Sequence, residues 1–199
     1  MRIGIMGGTF NPIHHGHLIL SEYIRIKENL DKVIFIPTGN PPHKDIHDLL
    51  DGETRLEMVD LAIKNNPFFK SLDIEVKRET TSYTVDTLRS LKDKYPEHDL
   101  YMIIGADNLL SLRTWKEFHR IFSYANFIVA DRLGLCHEDV YKEIDRLNQD
   151  YDANIIYLDS PVIEISSTLI RQRLKDNLSI KYLVCEDVED YIERNNLYR

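Results

Sequence analysis

Short apolar runs alternate with helical patterns along this 199-residue chain, and that alternation constrains its fold more than any other feature. Residues 3–6, 33–36, 100–104, 127–130 and 155–158 are near-continuous apolar runs of strand length. Between them apolar residues recur at helical spacing: Ile19, Tyr23, Ile26 and Leu30; Leu56, Val59 and Ile63; Val85, Leu88 and Leu91; Phe118, Ile121 and Phe122; Val140, Ile144 and Leu147. Leu72, Ile74 and Val76 alternate with Asp73, Glu75 and Lys77, which predicts a further, less buried strand. Two helices are expected after residue 160. Strands that alternate with helices build βαβ units and a mostly parallel sheet. Strands apolar on both faces need helices on both faces. The fold class expected is therefore α/β, a doubly wound, mostly parallel sheet. Nothing resembling a linker divides the chain, so residues 1–199 are expected to form one domain.

Charge narrows the partners. The net charge is −8, which argues against a broad nucleic-acid-binding face. It leaves room for a small phosphate ligand, which needs only a few local cations and backbone amides. No apolar run is long enough to span a bilayer, and the N-terminus reaches glycines too soon for a secretory signal. Cys136 and Cys185 lie far apart and match no metal spacing, so both read as reduced thiols in a cytoplasmic protein.

The stretch GGTFNPIHHGH, residues 7–17, follows the first strand and runs into a helix expected to start at His15 or Gly16. Backbone N–H groups at a helix N-terminus attract anions, and Gly7 and Gly8 let the backbone approach a phosphate closely. The stretch is neither of the common glycine-rich nucleotide motifs and offers histidines where a P-loop offers lysine. His14 and His17, three apart, can face one ligand, while His15 points elsewhere. Two such donors aimed at one phosphorus suit phosphoryl or nucleotidyl transfer, which depends on positioning and charge stabilisation. A zinc reading of His14, His15 and His17 with His43 or His47 matches no known ligand spacing, so no metal site is expected. The longest irregular stretch, from Gly39 to Gly52, carries Pro41, Pro42, His43 and Lys44, and long loops in compact domains are often functional. Near the other end, ISSTLIRQRL offers Ser166, Ser167 and Thr168 as cap residues, with Arg171 one turn further on.

Together these stretches resemble the nucleotidylyltransferase superfamily, whose two terminal motifs they match. NPPHK (40–44), SYTVDTL (82–88), IIGADNLL (103–110), Trp115 and NNLYR (195–199) narrow the resemblance to the bacterial nicotinate-nucleotide adenylyltransferases. The resemblance implies a Rossmann-like sheet and the conversion of ATP and nicotinate mononucleotide to nicotinate adenine dinucleotide and pyrophosphate, with magnesium, in NAD biosynthesis. It implies that His14 and His17 contact ATP phosphates, helped by Gly7, Gly8, Thr9 and Phe10. It places Lys44 and Arg171, with Ser166, Ser167 and Thr168, on the triphosphate and leaving group. Gly105 and Asp107 fall on the ATP side, Asp107 at a ribose; a helix N-cap is the other reading of Asp107. Arg132 is either a further cation for ATP or a solvated loop residue. On the mononucleotide side fall Asn40, His43 and Lys44, with the backbone of Ser82, Tyr83 and Thr84 reading the carboxylate. Trp115 stacks on the pyridine in this reading, although a lone tryptophan on an amphipathic helix ordinarily belongs to the core. The sequence departs from the family at Asn11, where many members carry aspartate; a structural hydrogen bond in the turn is expected there. The alternatives are phosphopantetheine adenylyltransferase, which shares the terminal motifs but lacks PPHK, SYT and NLYR, an enzyme preferring the amide mononucleotide, and a non-catalytic nucleotide-binding module.

Overall fold

A computed structural model describes residues 1–40, 49–131 and 137–199. Six strands form one sheet: β1 (Arg2–Gly8), β2 (Lys32–Pro37), β3 (Phe69–Ser71), β4 (Asp99–Gly105), β5 (Asn126–Asp131) and β6 (Ile155–Asp159). Their order is β3-β2-β1-β4-β5-β6, and every neighbouring pair is parallel. The order reverses direction between β1 and β4, and open sheets bind ligands at such a switch point. Eight helices pack around the sheet among the described residues: α1 (His15–Lys27), α2 (Gly52–Ile63), α3 (Thr84–Lys94), α4 (Ala106–Ser111), α5 (Phe118–Ile121), α6 (His137–Tyr151), α7 (Ser167–Lys175) and α8 (Glu186–Arg194).

The strands' period of two divides the core. Ile34 and Ile36 enter one cluster with Leu88 and Leu91 of α3 and Val140, Ile144 and Leu147 of α6. Val33 and Phe35 enter the other with Leu20 and Ile24 of α1, Met58 and Val59 of α2, Ile170 of α7 and Val188 of α8. This is the doubly wound arrangement expected from runs apolar on both sides.

Three expectations change. First, α1 buries Gly16, Leu20, Ser21 and Ile24, whereas Ile19 and Ile26 are exposed. The predicted stripe is rotated by about one residue, because the helix docks where Gly16 allows close approach. Second, the alternation at residues 72–76 is not a strand. Lys77 N–H bonds back to Asp73 O at 2.9 Å, and the chain turns there. That turn carries Glu75 inward, to 9% exposure, where Thr87 Oγ1 donates to its carboxylate at 2.7 Å. Third, Trp115 is on no helix. It ends a single 3₁₀ turn, Leu112–Thr114, and is half-buried against the core.

The exit of β2 meets this turn with little clearance. A Cβ added at Gly39 would stand 1.9 Å from the Glu75 carbonyl oxygen. Since backbone rather than a flexible side chain is in the way, Gly39→Ala must push the two segments apart. Overpacking of this kind costs about 1–3 kcal/mol. Urea denaturation of Gly39→Ala should show that loss with an unchanged m-value; wild-type stability would mean the turn yields freely.

Candidate functional site

A cleft of about 710 Å³ opens over the C-terminal ends of β1 and β4. Gly7, Gly8, Thr9 and His17 line one side, Gly105 and Asn108 the middle, and Ser82, Tyr83, Thr84, Trp115 and Lys116 the other side. Nine of the residues singled out from sequence therefore meet in one place: Gly7, Gly8, Thr9, His17, Ser82, Tyr83, Thr84, Gly105 and Trp115.

The turn after β1 is fixed from several directions. Phe10 has a positive φ of 48°, unusual for a bulky residue, and is 2% exposed. Its ring packs on Phe35 and, edge-on, on His17, so its side chain is core and only its backbone remains for a ligand. His14 is the N-cap of α1, and its N–H donates to His17 Nδ1 at 3.3 Å. The two imidazoles stack with centroids 3.7 Å apart. They are not equal at the cleft: His17 lines it, while His14 is 4% exposed and absent from its lining. A Cβ at Gly16 would lie 3.0 Å from the His14 ring, so this glycine makes room for the stack. His15 does not line the cleft, and its backbone N–H is bonded to Leu183 O.

The start of α7 meets the same turn. Ser166 Oγ caps the helix by accepting from Leu169 N–H, and Ser167 Oγ donates to Pro12 O at 2.8 Å. Arg171 donates to Asn11 O at 2.8 Å, and its other terminal nitrogen is 3.4 Å from Thr168 Oγ1. Ser166, Ser167, Thr168 and Arg171 thus border the turn after β1 without lining the cleft. The Asn11–Pro12 peptide is cis, and Asn11 Oδ1 accepts hydrogen bonds from Leu50 N–H and the Tyr198 hydroxyl. That fulfils the structural bond expected of Asn11.

Across the cleft, α3 begins at Tyr83 with no side-chain cap. Ser82 N–H is spent on Asn40 O at 3.0 Å, so of the amides expected at Ser82, Tyr83 and Thr84 the first is taken, while the other two make no backbone hydrogen bond among the described residues. Asn40 itself is exposed, and its carbonyl links the end of β2 to this helix start. Lys116 Nζ stands 4.3 Å above the Tyr83 ring and 3.4 Å from Asp86 Oδ2. Burial pushes the Glu75 carboxyl above its usual range, against the Thr87 hydroxyl bonded to it. Asp107 does not cap α4: Gly105 holds that position, and Asp107 sits exposed in the first turn, bonded to the Asn108 side chain. His43, Lys44 and Arg132 lie outside the described residues. Among the described residues, no group of three His, Cys, Asp or Glu side chains is placed to hold a metal, and no helix is long and apolar enough to cross a membrane.

The largest omission from the sequence reading is Arg55. It is 1% exposed, yet its guanidinium donates to three backbone carbonyls: Leu50 O at 2.9 Å, Thr9 O at 2.7 Å and Gly39 O at 3.2 Å. Burial lowers its pKa, opposed by Tyr198, Asp51 and Glu75. The signal was an arginine three and four residues before Met58 and Val59, on the buried stripe of α2. Thr38, Glu75 and Lys116 are further cleft residues outside the quoted motifs, and Thr87 and Asn108 lie within two of those motifs without having been singled out.

Comparison with known proteins agrees with this geometry. Residues 5–173 match the model of the cytidylyltransferase-like family. A protein of Desulfitobacterium hafniense (strain Y51) named "Probable nicotinate-nucleotide adenylyltransferase" is 46% identical over 198 residues, covering 100% of this chain and 96% of its own length. A Clostridium perfringens (strain ATCC 13124) protein of the same name is 44% identical over 199 residues, covering 100% and 98%. In fold, the chain superposes on the Plasmodium falciparum nicotinic acid mononucleotide adenylyltransferase complexed with NaAD with a TM-score of 0.81 at 22% identity, covering 99% and 97%. With a histidine-bearing turn after β1, a bare helix start at α3 and an arginine from α7 all gathered at the switch point, and with full-length relatives of this identity, the chain belongs to the nicotinate-nucleotide adenylyltransferases of the cytidylyltransferase-like family.

Proposed function

We propose that this protein transfers the adenylyl group of ATP to nicotinate mononucleotide, giving nicotinate adenine dinucleotide and pyrophosphate. One observation supports this reading: the glycine- and histidine-bearing turn after β1 and the start of α3 line one cleft. The attacking group is the phosphate monoester of the mononucleotide, whose second pKa of about 6 leaves it largely ionised at neutral pH. One of its oxygens forms a bond to the α-phosphorus of ATP while the bond from that phosphorus to the β-phosphate bridging oxygen breaks. Pyrophosphate leaves with the bonding electrons, and no general base is required. The protein's task is to hold both phosphates in line and to stabilise the charge that spreads over them.

In this reading His17 donates to the α-phosphate from the cleft wall, and His14 holds it from behind through the ring stack. Gly7, Gly8 and Thr9 supply backbone, while Arg171 and the start of α7 receive the triphosphate. Lys44 is assigned to the triphosphate and, with His43, to the mononucleotide side by resemblance alone, as Arg132 is to ATP. Magnesium enters with ATP as part of the substrate. Thr84 and the bare start of α3 take the nicotinate carboxylate, and Trp115 stacks on the pyridine. Residues 1–199 act as one unit, because Asn11, Arg171 and Tyr198 meet at the turn.

Pyrophosphate release from magnesium ATP, compared for nicotinate mononucleotide, nicotinamide mononucleotide and phosphopantetheine, tests the assignment. Turnover with phosphopantetheine alone would overturn it. His17→Ala should lower kcat about 10²–10³-fold, the usual cost of losing one donor to transition-state charge, with the fold intact by circular dichroism. Trp115→Ala should raise KM for the mononucleotide well above any change for ATP, since stacking contributes roughly 0.5–1.5 kcal/mol beyond burial. An unchanged KM would return Trp115 to the core. The acid should be preferred over the amide by at least about tenfold in kcat/KM, equivalent to about 1.4 kcal/mol. Free N–H groups and the positive end of a helix favour a carboxylate, and an amide NH₂ would face donors with another donor. Equal efficiency would refute that role of α3.

A further inference from the structure

The segment NNLYR stood out in the sequence, yet none of it lines the cleft. The structure gives Tyr198 a specific place. Its hydroxyl donates to Asn11 Oδ1 at 2.8 Å across 187 residues of sequence. The same oxygen takes a longer bond, 3.4 Å, from Leu50 N–H. On the other side of Asn11, the backbone carbonyl accepts from Arg171 at 2.8 Å. One residue thus carries both attachments, Tyr198 through its side chain and Arg171 through its backbone. Asn11 lies two residues after Thr9 and three before His14, so any shift of it displaces both flanks of the phosphate-binding turn.

The backbone reinforces this. Tyr198 has φ of 64° and Asn196 φ of 50°, both left-handed. For a bulky side chain that conformation is strained, and it persists only where the surroundings over-determine it. Here it places the half-buried phenol within the field of the Arg171 and Arg55 guanidinium groups; burial raises its pKa by more than the two cations lower it. The phenol stays protonated and remains a donor. Arg55 holds Thr9 O at 2.7 Å, so the two residues grip the turn on either side of Phe10.

We propose that Tyr198 is a positioning residue for adenylyl transfer: by holding Asn11 it sets the phosphate-binding turn and the aim of Arg171. The role rests on the function proposed above. It differs from a purely stabilising one, because among the described residues the Asn11 carbonyl and a 3.4 Å contact with Thr168 are what direct Arg171. Without the hydroxyl, Asn11 Oδ1 keeps the long bond from Leu50, and the turn can drift while the fold persists. The mononucleotide side, built on Tyr83, Thr84 and Trp115, stands across the cleft and is unaffected.

The test is Tyr198→Phe, with ATP affinity measured by titration in the absence of mononucleotide and steady-state kinetics for both substrates. We expect kcat to fall at least fivefold, the ATP Kd and KM to rise at least threefold, and KM for nicotinate mononucleotide to stay within twofold. Asn11→Ala should reproduce the pattern. The double variant should be no worse than Asn11→Ala alone within about twofold, because contacting residues acting through one bond are not additive. Wild-type kcat and ATP affinity in Tyr198→Phe, whatever its melting temperature, would overturn the proposal, as would effects that multiply in the double variant. If Asn11→Ala does not fold, Tyr198→Phe decides alone. If the wild-type protein transfers nothing to nicotinate mononucleotide, the reaction assignment falls, and the ATP titration still decides the role of Tyr198.

Discussion

The buried guanidinium of Arg55 is the interaction on which the site's architecture depends. Parallel strands end in loops, and loops carry carbonyls that a sheet does not satisfy. Three of these, from Thr9 after β1, Gly39 after β2 and Leu50 before α2, converge on one side chain. A hydrogen bond from a charged donor is worth about 1.5–3 kcal/mol, more than a neutral one. The planar fork of arginine can meet three carbonyls from fixed directions, which a lysine ammonium on its flexible stem cannot. The loops are thereby tied to the core as well as to each other. This explains why Phe10 can be kept in a left-handed conformation and why Gly39 has no space for a side chain.

A second constraint is electrostatic. The chain carries a net charge of −8, yet the function proposed for its cleft calls for binding phosphates and a carboxylate. The overall field does nothing to draw such ligands in. At physiological ionic strength charges farther away than about 8 Å are largely screened, so local groups decide. The sheet supplies them economically: helix starts at α1, α3 and α7, and the side chains of His17, Arg171 and Lys116. The acidic residues near the cleft are spent elsewhere. Asp107 is exposed, and the buried carboxyl of Glu75 is engaged by Thr87 and biased toward its neutral form.

Five of the six strands were legible in the sequence because runs apolar on both sides have few other uses, whereas the short edge strand β3 (Phe69–Ser71) was missed and a strand was expected at residues 72–76 instead; the two terminal motifs were legible because glycine, histidine and capping residues cluster at strand ends. What was hidden depended on partners distant along the chain. Arg55 looks like a surface residue until the carbonyls it meets are known. Residues 72–76 alternate as a strand should, but Glu75 turns inward to Thr87, which no local pattern reveals. On α1 two stripes were available; the one holding Leu20 and Ile24 docked, because it includes Gly16, which lets the histidine stack fit. The inequality of His14 and His17 was likewise invisible, since spacing alone puts both on one face.

The contacts of the turn after β1 also set an order in time. Asn11 waits for Arg171, 160 residues on, and for Tyr198, 187 residues on; Pro12 waits for Ser167, 155 residues on. A ribosome adding about 5–20 residues per second needs on the order of ten seconds or more to cover that distance. Throughout that interval β1 can pair with β2, but its other neighbour, β4, has yet to emerge for most of it. The loop synthesised first is therefore the last to be set, and a nascent chain can hold half a sheet long before it can hold a nucleotide.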